Sequence, residues 1–458
     1  MSNEQKIQLL KNKRDKIDNV SCSFCTAKWL QTTLMLQNGY NHSCHHPAPH
    51  KIPLEEIKAD PAALHNSKFK KEQRAKMLKG ERPNECGYCW KIEDLGKDYF
   101  SDRHYKTADT WAWDRFEDIA KSDPQDNVYP SYLEVSFSNA CNFACAYCSP
   151  EISSKWMEDI KQNGPYPTKH SAHNLDYLEQ TGKMPIPNRE YNPYVEAFWK
   201  WFPDALPHLK VLRITGGEPT MSKDTWKLLD YLIENPRNGL DIAINTNGCV
   251  EDALIDKLIF KINQLAEVGV SVDVYSSLES TGEQAEYARD GLNYKQWLIN
   301  IHKILKNTQS TVAIMTTVNI LSLSTFIDFI NAIMELRVVY NTSSAWNRIP
   351  LSINIMHWPP HLQCTLLDKD IRTLIANNVE QVCNSWLKYY TAEKHARLYL
   401  EEFDQIQRLC DYLRNTAPAL EHRPDFVRYI YAYDKRRNKD FVKIFPEYAQ
   451  LLKDWHAS

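Results

Sequence analysis

Between Tyr132 and Trp358 short β-rich runs alternate with helical patterns, and no other feature of the chain narrows its fold as far. The strand candidates are Tyr132–Ser138, Val211–Gly216, Asp241–Asn247, Val268–Ser276, Thr311–Asn319 and Leu351–Trp358. Helical periodicity occupies Ser222–Glu234, Val250–Ala266, Tyr294–Asn307 and Thr325–Leu336, between several of them. Strands separated by helices cannot pair through tight hairpins; each crossover returns the chain parallel to the previous strand, which predicts an α/β fold with a parallel sheet. Six such strands predict a partial (β/α)6, TIM-like barrel rather than a closed eight-stranded one. Pro165–Asn192 is rich in Pro, Asn and His, lacks periodicity, and reads as a loop insertion or lid.

Two flanks complete the organisation. A chain of 458 residues has room for two or three domains, and the boundaries read as 1–127, 128–359 and 360–458. In the first, Thr32–Gln37 and Tyr40–Cys44 flank Asn38-Gly39, a hairpin signal of type I′ because both central residues of that turn need positive φ. The last is charged and helix-like, with apolar residues at Ala396, Leu400, Phe403, Ile406 and Leu413 within Glu393–Arg414. Fifty-five basic against 58 acidic side chains leave a formal charge of −3, which excludes a polybasic arm or an acidic tail as the organising feature. No apolar run approaches the roughly 18 residues of a membrane helix. The start, MSNEQKIQLLKNKRDK, is polar, so a soluble, cytoplasmic protein is expected.

Cysteine is unevenly spread. Eight of the 12 lie in the first third of the sequence, in tight clusters that point to metal or redox chemistry rather than a disulfide framework. Cys141, Cys145 and Cys148 follow the first barrel strand at its C-terminal end, the rim where α/β barrels place their sites. Three thiolates on one compact loop can hold three irons of a [4Fe–4S] cluster and leave the fourth open, whereas a structural zinc site needs a fourth ligand.

The stretch CNFACAYC (Cys141–Cys148) resembles the cluster loop of the radical S-adenosylmethionine (SAM) superfamily, with Tyr147 in the aromatic position. Gly216-Gly217-Glu218-Pro219 is similar to that superfamily's GGEP motif, Asn245-Thr246-Asn247-Gly248 to its TNG segment, and Ser271-Val272-Asp273 to its S-x-D. The resemblance implies a [4Fe–4S] cluster on Cys141, Cys145 and Cys148, with SAM chelating the open iron. It further implies close backbone approach at Gly216 and Gly217, ribose or carboxylate contacts from Asn245 and Ser271, and adenine contact from the Tyr147 backbone. The implied activity is reductive SAM cleavage to a 5′-deoxyadenosyl radical that abstracts hydrogen from substrate, fed by an electron donor such as flavodoxin or ferredoxin.

Cys25-x13-Gly39-x4-Cys44 and Cys86-x2-Cys89 resemble the SPASM/twitch auxiliary-cluster module, here placed ahead of the barrel. That resemblance implies a second [4Fe–4S] cluster on Cys25, Cys44, Cys86 and Cys89; the same four thiolates would also satisfy zinc, and Cys22 could replace Cys25. His42, His45, His46 and His50 surround Cys44, as ligands, hydrogen-bonding neighbours or solvated groups. Lys68–Arg82 could grip phosphate or form a solvated helix face. Cys249, after the TNG segment, could return a hydrogen atom to a substrate radical or pack as a small hydrophobe, with Tyr275 and His357 as further strand-end candidates. Cys364, Cys383 and Cys410 read as buried hydrophobes. Three readings of function remain: a peptide- or protein-modifying enzyme, favoured by analogy with auxiliary-cluster members; a nucleotide- or tRNA-modifying enzyme; and a non-catalytic, metal-stabilised binding module.

Overall fold

A computed structural model describes residues 3–96, 99–341, 346–388 and 396–457. Its strands are β1 (Gln31–Met35), β2 (Tyr40–His42), β3 (His50–Lys51), β4 (Tyr132–Ser136), β5 (Ala144–Cys145), β6 (Val211–Thr215), β7 (Asp241–Thr246), β8 (Val272–Ser277), β9 (Arg289–Asp290), β10 (Val312–Val318) and β11 (Leu351–Ile355). The chain divides into two compact units. The first comprises Met1–Ser138, Pro185–Gly216 and Tyr231–Ala243; the second comprises Asn139–Met184, Gly217–Asp230 and Ile244–Ser458. The mixed α/β class, the parallel strands and the helical C-terminal stretch are those expected from the sequence.

In the first unit β6 runs parallel to β4, and β4 runs parallel to β1. Period-two alternation explains the pairing. Leu133 and Val135 are buried and sit opposite buried Leu212 and Ile214, while Glu134 faces Arg213 on the other side of the sheet. The apolar side is served by the helix Pro193–Ala205, which buries Phe198, Trp201 and Phe202 and sets Phe198 edge-on to Phe137 at 5.1 Å. Burying one such side chain contributes roughly 1.5–3 kcal/mol, so this face dominates the local stability. Asn192 starts that helix by accepting the Tyr194 and Val195 N–H groups, and Pro193 at its first position has no N–H to satisfy.

The hairpin forms, with β1 antiparallel to β2 and β2 to β3, but its turn is not type I′. Met35 pairs with Tyr40, so four residues make the loop, and only Gly39 (φ 70°), not Asn38, has positive φ. A Cβ at residue 39 would sit 2.0 Å from the Tyr194 ring, so the glycine is required twice over. Sequence periodicity also gave no sign that β1 continues the parallel sheet, because its residues Gln31-Thr32-Thr33 are polar yet buried.

In the second unit β10 lies parallel to both β8 and β11. A short antiparallel ladder joins β5 to β9, with Cys145 opposite Arg289. Buried Arg337 donates to both carboxylate oxygens of Glu402, at 2.9 and 2.6 Å, and fastens the helix Phe326–Tyr340 to Leu400–Asn415. Of the expected C-terminal helix, residues 393–395 lie outside the described residues, and the helix itself begins at Leu400. β7 crosses the division between the units, with residues 241–243 in the first and 244–246 in the second. Among the described residues no helix is long and apolar enough to cross a membrane.

Candidate active site

The loop after β4 is held from within the second unit. Ser153 caps the helix Ser154–Asn163 by accepting the Trp156 N–H, and its hydroxyl donates to the Phe143 carbonyl at 2.7 Å. The Cys141 N–H donates to Ser154 Oγ, the Trp156 indole donates to the Cys145 carbonyl at 2.8 Å, and the Cys148 N–H closes a turn on the Cys145 carbonyl. These bonds fix the backbone, and the three thiols make only long contacts of 3.4–3.8 Å, Cys141 with the Phe143 N–H, Cys145 with Arg289 and Cys148 with the Ser149 carbonyl. Burial pushes the Cys141 thiol up to about 12 and Cys145 to about 11, and raises Cys148 strongly; the negative charge of neighbouring cysteines adds to the shift at Cys141 and Cys148. Without a cation the thiols stay protonated, whereas a coordinated metal deprotonates them outright. The donor set therefore suits an iron–sulfur cluster.

The glycine pair is a cradle by the same test. Gly216 holds φ 135°, and a Cβ there would come within 3.0 Å of Ser136 Oγ and the Ser138 carbonyl. At Gly217 it would meet the Ala140 carbonyl at 2.5 Å, immediately ahead of Cys141. Glu218 is buried and its carboxylate accepts from the Thr220 N–H and hydroxyl, the Thr246 hydroxyl and the Asn247 N–H at 2.7–3.2 Å. It thus braces the GGEP turn against the TNG segment. Burial outweighs those donors and keeps its pKa above the usual carboxylate value. Pro219 begins a short 3-10 turn and is buried.

At the end of β7, Asn247 Nδ2 donates to Asn142 Oδ1, Asn142 Nδ2 donates to the Cys249 carbonyl, and the Cys249 N–H donates to Asn247 Oδ1. Asn142, unmarked in the sequence reading, thereby ties the TNG segment to the cluster loop. Asn245 Oδ1 is buried with no hydrogen-bond partner among the described residues, as an acceptor kept for a ligand would be. Cys249 is partly exposed, bonds through Sγ to the Asn293 carbonyl, and has its pKa raised by burial.

Ser271 and Asp273 are not brought here. Val268 caps the helix Asp252–Glu267, Gly269 turns with φ 78°, and β8 starts only at Val272, so exposed Ser271 precedes the strand and Asp273 is its second residue. The part of β8 beside the TNG segment is Ser276, whose Oγ would lie 2.8 Å from a Cβ on Gly248. Five residues of strand, about 17 Å, separate it from Ser271. A second Ser-x-acid triplet, Ser277-Leu278-Glu279, occupies that end, with Glu in place of Asp. Tyr275 lies within β8, and exposed His357 lies two residues beyond β11, its ring 5.8 Å from Tyr412.

Three further groups hold the loop and were not legible beforehand. Glu279 accepts two bonds from Arg289 and one from the Tyr147 hydroxyl. The Tyr429 hydroxyl, on the helix Arg423–Arg437, donates to the Ala146 carbonyl at 2.7 Å. His173, within the expected lid, stacks on Trp156 at 4.1 Å and bonds through Nε2 to the Cys148 carbonyl at 2.9 Å.

The other cysteine set lies wholly in the first unit. Cys25, Cys44, Cys86 and Cys89 line one cavity with Lys28, Met77 and Trp90. Burial raises Cys44 and pushes Cys86 and Cys89 to about 12. Cys22 lines a different cavity and donates to the Gly80 carbonyl, so Cys25 is the one placed with the other three. The nearby histidines are engaged: His42 with the Cys44 carbonyl, His46 with Asp102 at 2.7 Å, and His50 with Ser67 Oγ at 3.4 Å. His45 is exposed. The basic stretch is not a uniform solvated face, because Lys70 and Arg74 are fully buried. Among the described residues no group of three or more His, Cys, Asp or Glu side chains is arranged to hold a single metal ion. Buried Cys364, Cys383 and Cys410 behave as the hydrophobes expected.

Residues 135–333 match the family model of the Radical SAM superfamily. That stretch is a radical SAM domain. A GTP 3′,8-cyclase of Aliarcobacter butzleri is 28% identical over 146 residues, 31% of this chain and 34% of the relative. The radical SAM cyclopropyl synthase TigE of Paramaledivibacter caminithermalis is 25% identical over 214 residues, 46% of this chain and 39% of the relative. The molybdenum cofactor biosynthesis protein moc-5 of Caenorhabditis elegans is 27% identical over 168 residues, covering 36% and 22%. The chain thus spans well under half the length of each of these relatives.

Proposed function

We propose that the protein is a radical SAM enzyme in which Cys141, Cys145 and Cys148 hold a [4Fe–4S] cluster and Gly216, Gly217, Asn245 and the Tyr147 backbone receive SAM. When bound, that pair supplies a 5′-deoxyadenosyl radical able to abstract hydrogen from an unactivated carbon. The observation that carries the reading is the coincidence of three thiols on one loop, Cys141 buried and Cys145 and Cys148 half-buried, a glycine cradle ahead of them, and the unpartnered Asn245 oxygen. Glu218 and Asn142 position the cradle and the TNG segment rather than meeting the cofactor. Ser271 and Asp273 take no part in it. Anaerobic reduction with SAM tests the activity: 5′-deoxyadenosine is expected, and its absence under every reductant would favour a binding module.

The substrate we favour is a peptide or protein residue, with a flavodoxin or ferredoxin as electron donor and Cys249, partly exposed beside the TNG segment, as a candidate hydrogen donor. A nucleotide is the second reading, supported by the relatives named GTP 3′,8-cyclase. A long nucleic-acid track along Lys68–Arg82 is disfavoured because Lys70 and Arg74 turn inward. Salt dependence separates the cases, since phosphate tracking weakens steeply with salt and peptide binding does not.

We further propose that residues 1–127 form a twitch-like module whose Cys25, Cys44, Cys86 and Cys89 hold an auxiliary [4Fe–4S] cluster, that residues 128–359 form the radical SAM core, and that 360–458 form a helical extension. Convergence of those four thiols on one cavity supports the module. About eight irons per chain after reconstitution are expected, the sum of two four-iron clusters. One zinc in place of four of them would overturn the auxiliary assignment. A cytoplasmic location fits a reducing cluster of this kind.

A further inference from the structure

The Arg289 guanidinium lies against the cluster loop with its donors divided. Nε and Nη2 both go to Glu279 Oε2, at 3.0 and 2.6 Å, while Nη1 points to Cys145 Sγ at 3.7 Å. Glu279 keeps that orientation because its other oxygen accepts the Tyr147 hydroxyl at 3.0 Å. Both members of the ion pair are buried, at 5% and 1% exposure, so neither can turn to water. Backbone geometry selects the same contact: Arg289 is the cross-strand partner of Cys145, and the Ala146 N–H donates to the Ala288 carbonyl at 2.7 Å. Two positions on, a Cβ at Gly291 would meet the Asn142 carbonyl at 2.8 Å, so the strand runs hard against the loop.

A buried Arg–Glu pair is costly to desolvate and is weak evidence for a purely stabilising role. Its orientation suggests another one: the positive end faces a cysteine sulfur while the carboxylate is held by the Tyr147 hydroxyl. Hydrogen bonds and charge at cluster sulfurs are among the factors that set reduction potential. We propose that Arg289 is a positioning residue for the open cluster, holding Cys145 in register and raising the cluster's reduction potential through its N–H···S contact, with Glu279 and Tyr147 fixing its aim. The inference rests on the functional reading above, since it needs a cluster on Cys145.

The test compares wild type, Arg289→Lys and the paired variant Arg289→Met/Glu279→Gln, each as the full chain, reconstituted anaerobically. The paired variant removes both charges together, so no lone buried charge is left to unfold it. The cluster of interest is the one whose EPR spectrum changes on adding SAM, and its midpoint potential is read by titration. The paired variant should shift that potential negative by about 59 mV, equivalent to a tenfold change in a one-electron equilibrium. Arg289→Lys, which keeps the cation but loses the planar fork, should fall between. Failure of a natively folded paired variant to take up that cluster would also support the positioning role. Potentials equal to wild type in both variants would overturn the inference while leaving the functional reading intact. A wild type with no SAM-responsive cluster would overturn both.

Discussion

The two cysteine regions solve one problem in opposite ways. In the second unit three thiols lie on eight consecutive residues, braced nearby by Ser153 and Trp156 and from a distance by the β5–β9 ladder. In the first unit four thiols come from segments as far apart as Cys25 and Cys89 and meet only because the fold brings them to one cavity. The charges behind them differ too. Arg289 is matched by Glu279 beside Cys145. Lys28 is paired with Glu85, but Lys70 and Arg74 nearby bond to backbone carbonyls, His65 and Asn66. Burial lowers the pKa of Lys70 well below its usual value, so that region favours an anionic neighbour, as four thiolates around a metal core would be. A local loop can bind before the unit is complete; a dispersed site is part of the folding of its unit.

The largest expected effect separates the two regions outright. Replacing Cys141, Cys145 and Cys148 by Ala should abolish 5′-deoxyadenosine formation while iron falls from about eight to about four per chain. Retention of the product would break the comparison at its root. Next, chelation should raise amide exchange across Cys25–Cys89 more than across residues 139–163, because only the first site ties distant segments together. Equal changes would show that the dispersed site carries no folding energy.

Smaller effects sharpen the picture of the local frame. Glu218→Ala leaves several donors without their acceptor and should lower unfolding free energy by at least about 2 kcal/mol in denaturant melts, with Glu218→Gln milder. Buried His361 has a folded pKa of about 3, depressed chiefly by desolvation, with His170 and His422 lowering it further and Asp425 opposing. Against an unfolded value of about 6.5, its stability contribution is whole above that pH and is lost as pH falls toward the folded value, with a slope of up to about 1.4 kcal/mol per pH unit. His361→Leu should flatten that acid slope in pH-dependent melts. Tyr429→Phe, which removes one buried hydrogen bond to Ala146, should cost about 1 kcal/mol by the same melts.

What the sequence revealed follows the same division. The strands of the alternating zone were legible because β6 and β8 bury every second residue, and the loop cysteines because their spacing is contiguous. The hairpin strand β1 was legible, but its parallel pairing with β4 was not, because Gln31-Thr32-Thr33 carries no apolar alternation although the structure buries all three. Ser271 falls ahead of the strand because a motif's letters do not say where a strand begins; the turn at Gly269 starts β8 only at Val272, and Glu279 lies just beyond its far end. Arg289 and Asn142 were invisible for a different reason. Their roles arise from contacts across 144 and 105 residues, and no local pattern encodes those.

The central claim is that three thiols leave one iron open to SAM. ENDOR spectroscopy of the reduced, reconstituted protein with SAM labelled at its amino nitrogen or carboxylate oxygen tests it most directly. Hyperfine coupling from the label to a cluster is predicted, and it should vanish in the Cys141, Cys145 and Cys148 triple variant. No coupling in a wild-type protein holding its full iron would contradict the account.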